Sequence, residues 1–123
     1  MSNTDRIINA TFAALSIPTN GYKSAAEMMD KAYPIVTLTK NSFLGSSFIK
    51  VRYAALNTED DRESECEISQ REFDAVANLI EAIAQKDEPV VHENVVSIEL
   101  WLGCDLCVYI KTKESFRSLV NIL

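Results

Sequence analysis

Apolar residues in the first third of the chain recur at helical spacing. Residues 4–16 carry one such stripe and are predicted to form a first helix. The residues of the stripe are Ile8, Phe12 and Leu15. Ser24 and Glu27 then have the spacing of a capping box, in which two side chains satisfy free backbone N–H groups at a helix start. A short second helix is therefore expected to run from Ser24 to about Tyr33, before Pro34.

The apolar period changes to two after Pro34. Ile35–Lys40 is rich in β-branched residues, and Phe48–Leu56 alternates between apolar and polar positions, so both are predicted to be strands. The intervening residues 41–47 include Gly45 and are expected to form a hairpin connection. One face of the second strand carries Ile49, Val51 and Tyr53, and the other carries Lys50 and Arg52.

The clearest helical pattern in the chain covers residues 70–85. Ser69 and Glu72 form a second capping box before it, and Pro89 follows it. Its apolar stripe consists of Phe73, Val76, Ala77, Ile80, Ile83 and Ala84. A stripe of this width predicts a helix that packs one face on the core.

A second hairpin and a final helix are predicted after Pro89. Two alternating segments flank the turn 103–105 and are expected to pair. The positions assigned to their inner face are Val96, Ile98, Leu100, Leu102, Leu106, Val108 and Ile110. Residues 112–123 are predicted to form a short helix capped by Thr112. Its predicted buried face consists of Phe116, Leu119, Val120 and Leu123.

These elements predict one α+β domain spanning residues 1–123. The predicted order is α-α-β-β-α-β-β-α. The simplest architecture for this order is a four-stranded antiparallel sheet with helices packed on one face. The helix at 70–85 is expected to cover the inner face of the second hairpin through Phe73, Val76, Ile80 and Ile83.

Negative charge is concentrated in one segment. Between Glu59 and Glu67 the chain has a net charge of −5, out of −6 for all 123 residues. The acidic residues of this segment are Glu59, Asp60, Asp61, Glu63, Glu65 and Glu67. The segment is expected to be a loop, and charge concentrated in this way can steer a basic partner toward one face. Solubility alone is the alternative explanation.

The composition limits the cellular compartment and the kinds of partner that can be expected. With 47% hydrophobic and 24% charged residues, the chain has the composition of a soluble globular protein. The acidic balance argues against nucleic-acid binding, and no apolar segment approaches the roughly 20 residues of a membrane span. Three cysteines without a framework spacing favour a reducing compartment, so a cytoplasmic location is expected.

No residue pattern predicts catalysis, a metal or a cofactor. Cys104 and Cys107 have the spacing of a zinc or redox pair, yet no second cysteine pair is present, and two small residues beside a tight turn explain them. His92, the single histidine, is expected on the surface of the connector after the third helix. The carboxylates Glu59, Asp60 and Asp61 lack the spacing of a calcium loop. We therefore expect no enzyme, no cofactor and no bound metal.

One face of the second hairpin carries residues typical of binding hot spots. If the apolar positions point inward, then Glu99, Trp101 and Tyr109 share the opposite face. Aromatic residues are enriched at the centres of protein interfaces. Two interpretations remain open, namely an exposed binding surface and a face covered by the first or second helix. Phe43 and Leu44 likewise form either a docking knob in the first hairpin loop or part of the core.

The leading functional hypothesis is a small acidic inhibitor that binds a basic protein. An immunity protein of a toxin–antitoxin pair, neutralising a nuclease toxin, and an anti-defence protein both fit this description. Its partner-binding residues would be the six acids of the 59–67 segment together with Glu99, Trp101 and Tyr109. The protein would act as a monomer or a homodimer.

The element order and the acidic charge also resemble those of a second class of proteins. They are similar to the small dimeric chaperones of bacterial type III secretion, which hold effector segments in extended form. The resemblance implies three strands before the central helix, where the sequence pattern predicts two. It also implies an obligate dimer with exposed apolar grooves.

Overall fold

The structure, a computed structural model, describes residues 2–55, 62–84, 87–114 and 118–122. These residues form three helices and six strands. The helices are α1 (Asn3–Leu15), α2 (Ala25–Lys31) and α3 (Gln70–Ala84). The strands are β1 (Ile35–Phe43), β2 (Ser46–Ala54), β3 (Arg62–Glu67), β4 (Val95–Leu102), β5 (Leu106–Thr112) and β6 (Ser118–Ile122).

All six strands belong to one antiparallel sheet with the order β3-β2-β1-β4-β5-β6. The predicted α+β class and antiparallel pairing are confirmed. The predicted strand count of four is wrong, because one strand was expected to be a loop and another to be part of a helix. The order in the described residues is therefore α-α-β-β-β-α-β-β-β.

The second half of the acidic segment is the edge strand β3 rather than a loop. It pairs with β2, so that Glu63 lies opposite Arg52 and Glu65 lies opposite Lys50. Glutamate has a low preference for strands, and the opposite charges on the facing strand offset this disadvantage. Cys66, on the other face of β3, packs against the core. Glu59, Asp60 and Asp61 lie outside the described residues.

The predicted C-terminal helix is also wrong where the structure describes it. Residues 118–122 form β6, in which Val120 pairs with Val108 and Leu119 pairs with Tyr109. Val120 is buried and Leu119 is exposed, as expected for neighbouring residues on opposite faces of a strand. Phe116 and Leu123, which were assigned to the same helix face, lie outside the described residues. A strand here uses the backbone groups of β5 that a helix would leave unpaired.

The third helix forms as the sequence predicts. Ser69 N–H donates to Glu72 Oε1 and Glu72 N–H donates to Ser69 Oγ, both at 3.1 Å, which completes the capping box. The predicted apolar stripe is buried apart from Ala84, which is half-buried, and Ile80 is only 1% exposed. The residues of α3 in the hydrophobic core are Phe73, Val76, Ala77, Ile80 and Ile83.

The inner face of the sheet meets the helices. Tyr53 of β2 packs its ring 6.4 Å from that of Phe12 in α1, and its hydroxyl donates to the Pro18 carbonyl at 3.2 Å. The predicted inner positions of the second hairpin are buried, except that Val96 at the start of β4 and Leu102 at its end are half-buried. A bulge between Val95 and Ser97 buries Val95 and leaves Val96 half-buried. One extra residue in a strand shifts all earlier residues to the other face, and no periodic pattern predicts it.

Candidate functional site

One row of side chains crosses the whole sheet on the face opposite to the helices. Residues that pair directly across strands share a face, so the register alone defines this row. From β3 to β6 the row consists of Glu63, Arg52, Thr37, Glu99, Tyr109 and Leu119. We call the face that carries this row the open face. None of the helices in the described chain packs on it, because their buried residues join the inner face in one core.

The open face brings together the predicted binding residues that the structure describes. They are Glu63, Glu65, Glu67, Glu99, Trp101 and Tyr109. Of the two interpretations of the Trp101 face, coverage by the first or second helix is therefore wrong. Trp101 is 43% exposed and Leu119 is 47% exposed. The sequence placed the acidic segment and the second hairpin separately, and only the strand order shows that they share one surface.

Basic residues offset much of the acidic charge of this face. Lys50 Nζ lies 3.4 Å from Glu63 Oε2, and Arg52 Nε lies 3.5 Å from Glu63 Oε1. These side chains are well exposed, so the ion pairs add little to stability. Within the described residues, the register also places Lys111 on the open face, which then carries four carboxylates and three cations. The concentrated negative field that the sequence predicts is therefore reduced around Glu63.

The β5 and β6 side of the open face is apolar and aromatic. The rings of Trp101 and Tyr109 meet edge to face, with their centroids 6.2 Å apart and their planes at 73°. Trp101 Nε1–H donates to Glu99 Oε1 at 3.1 Å, which fixes the orientation of the indole. Tyr109 pairs with the exposed Leu119 across the next strand. A fixed aromatic pair beside an exposed leucine has the chemistry of an interface anchor.

A cavity of about 380 Å³ lies at the end of this aromatic region, beside the turn of the β4–β5 hairpin. Residues around it include Pro34, Ile35, Trp101, Leu102, Asp105 and Tyr109. The hairpin turn is closed by Gly103 N–H, which donates to the Asp105 carbonyl at 3.0 Å. No pattern in the sequence indicates that Pro34, Ile35 or Asp105 belongs to the site. Pro34 and Ile35 reach it because β1 pairs with β4 in the middle of the sheet.

The cysteines do not form a metal site with other described residues. Cys104 is exposed, Cys107 is half-buried, and all three cysteines are free thiols. Across the described ranges, no three histidine, cysteine or acidic side chains are grouped so that they could hold a metal ion. Burial raises the pKa of the Cys66 thiol above its ordinary value, which makes Cys66 a poor nucleophile at neutral pH.

His92 is buried, and its predicted surface position is wrong. Only 3% of the residue is exposed, and its ring faces Glu81 of α3. The connector before β4 has no period that would reveal this contact. Leu44 is 89% exposed at the tip of the first hairpin, so it does not fold back into the core. The Phe43 side chain lies outside the described residues.

The sequence matches no protein-family model, and neither the curated proteins nor the solved structures gave a significant match. Among the described residues, no helix combines the length and the apolar character needed to cross a membrane.

Proposed function

We propose that this protein is a small non-catalytic inhibitor that binds a basic protein through its open face. An immunity protein of a toxin–antitoxin pair and an anti-defence protein are the two biological forms of this proposal, and a nuclease toxin is the partner that the charge favours. The observation that carries the proposal is the open face itself. It spans six strands and lacks a covering helix in the described chain, with Trp101, Tyr109 and Leu119 on its β4–β6 side and the carboxylates of Glu63, Glu65 and Glu67 on its β3 edge.

The two parts of the open face support different steps of binding. The β3 edge presents Glu63, Glu65 and Glu67, whose charge, offset in part by Lys50 and Arg52, attracts a basic surface and speeds association. The other part presents Trp101 and Tyr109, whose burial slows dissociation. A nuclease has a positive cleft because it must hold phosphate, and the acidic edge of the open face offers carboxylates to such a cleft. A cytoplasmic setting, as a monomer or a homodimer, belongs to this proposal.

Affinity capture from the native host tests the proposal. The tagged wild-type protein is compared with an open-face variant that combines Glu63→Gln, Glu65→Gln, Glu67→Gln and Trp101→Ala. The matched control replaces three carboxylates by amides at exposed positions of the connector after α3, outside the open face, namely Asp87, Glu88 and Glu93. We expect the wild type and the control to retain a basic protein that the open-face variant loses. Equal capture by all three proteins would contradict the proposal.

An export chaperone is the second candidate function, and one observation favours it. The edge strand β3 brings the number of strands before the long helix α3 to three. Three strands at this place are what the resemblance to type III secretion chaperones implies. In this alternative, the open face or the exposed edges of the sheet would hold an extended segment of an exported protein.

The size of the protein in solution separates the two candidates. Light scattering coupled to size-exclusion chromatography gives the mass independently of shape. The chaperone alternative requires a stable dimer at all accessible concentrations and capture of one exported protein. A monomer that captures a basic, nuclease-like protein supports the inhibitor instead.

A further inference from the structure

The cavity at the β4–β5 turn is apolar and aromatic on most sides and carries one carboxylate. Pro34, Ile35 and Leu102 provide aliphatic surface, and Trp101 and Tyr109 provide aromatic surface. Asp105 is the charged residue among the described residues that line it. A volume of about 380 Å³ is large enough for one long side chain rather than for a folded element.

The aromatic pair gives this cavity a surface that attracts cations. Aromatic faces are electron-rich, and Trp has the strongest attraction for cations among the side chains with such a face. Glu99 Oε1 accepts the Trp101 Nε1–H at 3.1 Å, which places a second carboxylate beside the indole. The cavity therefore combines one aromatic pair with two nearby carboxylates, while no cation lines it in the described chain.

We infer that this cavity binds an arginine side chain of the basic partner. The methylene stem of the arginine packs on the aliphatic wall formed by Pro34, Ile35 and Leu102. Its guanidinium group lies against the Trp101 and Tyr109 rings and pairs with Asp105. Arginine fits better than lysine because its planar, weakly hydrated cation stacks on aromatic rings and binds carboxylates with two N–H groups. The inference rests on the proposed function, since it names the side chain through which the partner is recognised.

The charges around the cavity disfavour anionic and purely aliphatic occupants. An anionic side chain would be repelled by Asp105 and Glu99. A purely aliphatic side chain would remove water from Asp105 without giving its carboxylate a partner, which is unfavourable. A cation with a long apolar stem satisfies both the wall and the carboxylate.

The purified chain tests this inference without the partner. Trp101 is the single tryptophan of the chain, so intrinsic fluorescence reports directly on the cavity. The probes are N-acetyl-arginine amide and N-acetyl-citrulline amide, which have nearly the same shape and differ in charge. We expect the arginine probe to bind at least about fivefold more tightly than the citrulline probe. Nitrogen-15 NMR shifts of the backbone amides from Trp101 to Tyr109 should follow the same titration.

Two variants test whether the preference for the arginine probe arises at the cavity. Asp105→Asn should remove the preference for arginine over citrulline, because it removes the paired carboxylate from an exposed turn. Asp30→Asn, which neutralises an exposed carboxylate of α2 outside this cavity, should leave the preference unchanged. Circular dichroism and thermal unfolding establish that both variants remain folded.

Equal affinity for the two probes, or no response of fluorescence and NMR shifts, would overturn the inference. The same holds if Asp105→Asn keeps the full preference for arginine. These outcomes leave the proposed function intact, because a basic partner can bind through the rest of the open face. Conversely, failure to capture any basic protein removes the proposed function and does not alter the probe titration.

Discussion

His92 Nε2 lies 3.2 Å from Glu81 Oε1, and both residues are buried. The two atoms are within hydrogen-bond distance, and the tautomer of the imidazole decides which of them donates. Asn78, one turn before Glu81 in α3, forms two side-chain hydrogen bonds with the His92 backbone. Its Oδ1 accepts the His92 N–H at 2.9 Å, and its Nδ2 donates to the His92 carbonyl at 3.0 Å. The connector before β4 is thus fixed to α3 by polar contacts.

The first prediction concerns this buried pair. His92→Leu should lower the free energy of unfolding by about 1–3 kcal/mol, because it leaves the buried Glu81 side chain without its hydrogen-bond partner. The other oxygen, Glu81 Oε2, already has no hydrogen-bond donor in the described part of the chain. The double substitution Glu81→Leu with His92→Leu should recover much of this loss. Urea unfolding measures all three variants, including Glu81→Leu alone, and simple additivity of the single effects would contradict the prediction.

The second prediction compares two neighbouring residues of α3. Ile80 is 1% exposed and lies in the core, whereas Leu79 is 38% exposed. Ile80→Ala should cost about 2–5 kcal/mol of unfolding free energy, because it opens a cavity in a packed core. Leu79→Ala removes a similar amount of side chain from a partly solvated position and should cost about 1 kcal/mol or less. Similar losses for the two variants in chemical unfolding would show that the packing of α3 is not as described.

Local signals explain why α3 could be predicted and β6 could not. Ser69 and Glu72 cap α3 through contacts three residues apart, so the sequence contains the whole signal. In the last segment, Leu119 and Val120 fit a short helix and a short strand equally well. The unpaired edge of β5 decides between them, and that edge exists only after the sheet has formed.

The candidate site was predicted in composition but not in arrangement. Glu63, Glu65 and Glu67 alternate with small residues, and this period of two is a strand signal that the charge of the segment obscured. Lys50 and Arg52 were correctly placed opposite to the buried face of their strand. Their contacts with Glu63 follow from the β2–β3 pairing, for which the sequence gives no register.

The third prediction concerns alkaline pH. Burial raises the pKa of the Cys66 thiol, so the folded chain keeps a proton that the unfolded chain releases. Rising pH therefore favours unfolding, starting near the unfolded thiol value of about 8.5. Burial also raises the pKa of the Tyr53 phenol, against a smaller lowering by its hydrogen bond with Ser64, which extends the same effect to higher pH.

Urea midpoints at several pH values under reducing conditions measure this effect. The wild type should lose stability as pH rises above the unfolded thiol value. Cys66→Ala should lose less over the same range, because the group that differs in proton affinity between the two states is gone. Cys104→Ala is the control, since Cys104 is an exposed thiol. If the urea midpoint of Cys66→Ala fell with pH as steeply as that of the wild type, groups other than Cys66 would be responsible for the loss of stability.

The fourth prediction separates the kinetic roles of the two parts of the open face. Neutralising Glu63, Glu65 and Glu67 together, all of them exposed on β3, should slow association with the basic partner and flatten its dependence on salt. Folding should be nearly unaffected, because exposed charges contribute little to stability. Surface plasmon resonance at low and high salt gives both rates. An unchanged association rate at low salt would mean that the acidic segment only solvates the protein.

Truncating Trp101 should act on the dissociation rate constant rather than on the association rate constant. The indole is fixed by Glu99 and packs on Tyr109, so it enters an interface already ordered and loses little conformational entropy there. Trp101→Ala should raise the dissociation rate by about 30-fold or more, which corresponds to about 2 kcal/mol, with little change in association. Leu44→Ala is a suitable control, because Leu44 is a large exposed apolar residue at the tip of a different hairpin. If both variants changed dissociation equally, exposed apolar area in general would explain binding, and the aromatic pair would lose its assigned role.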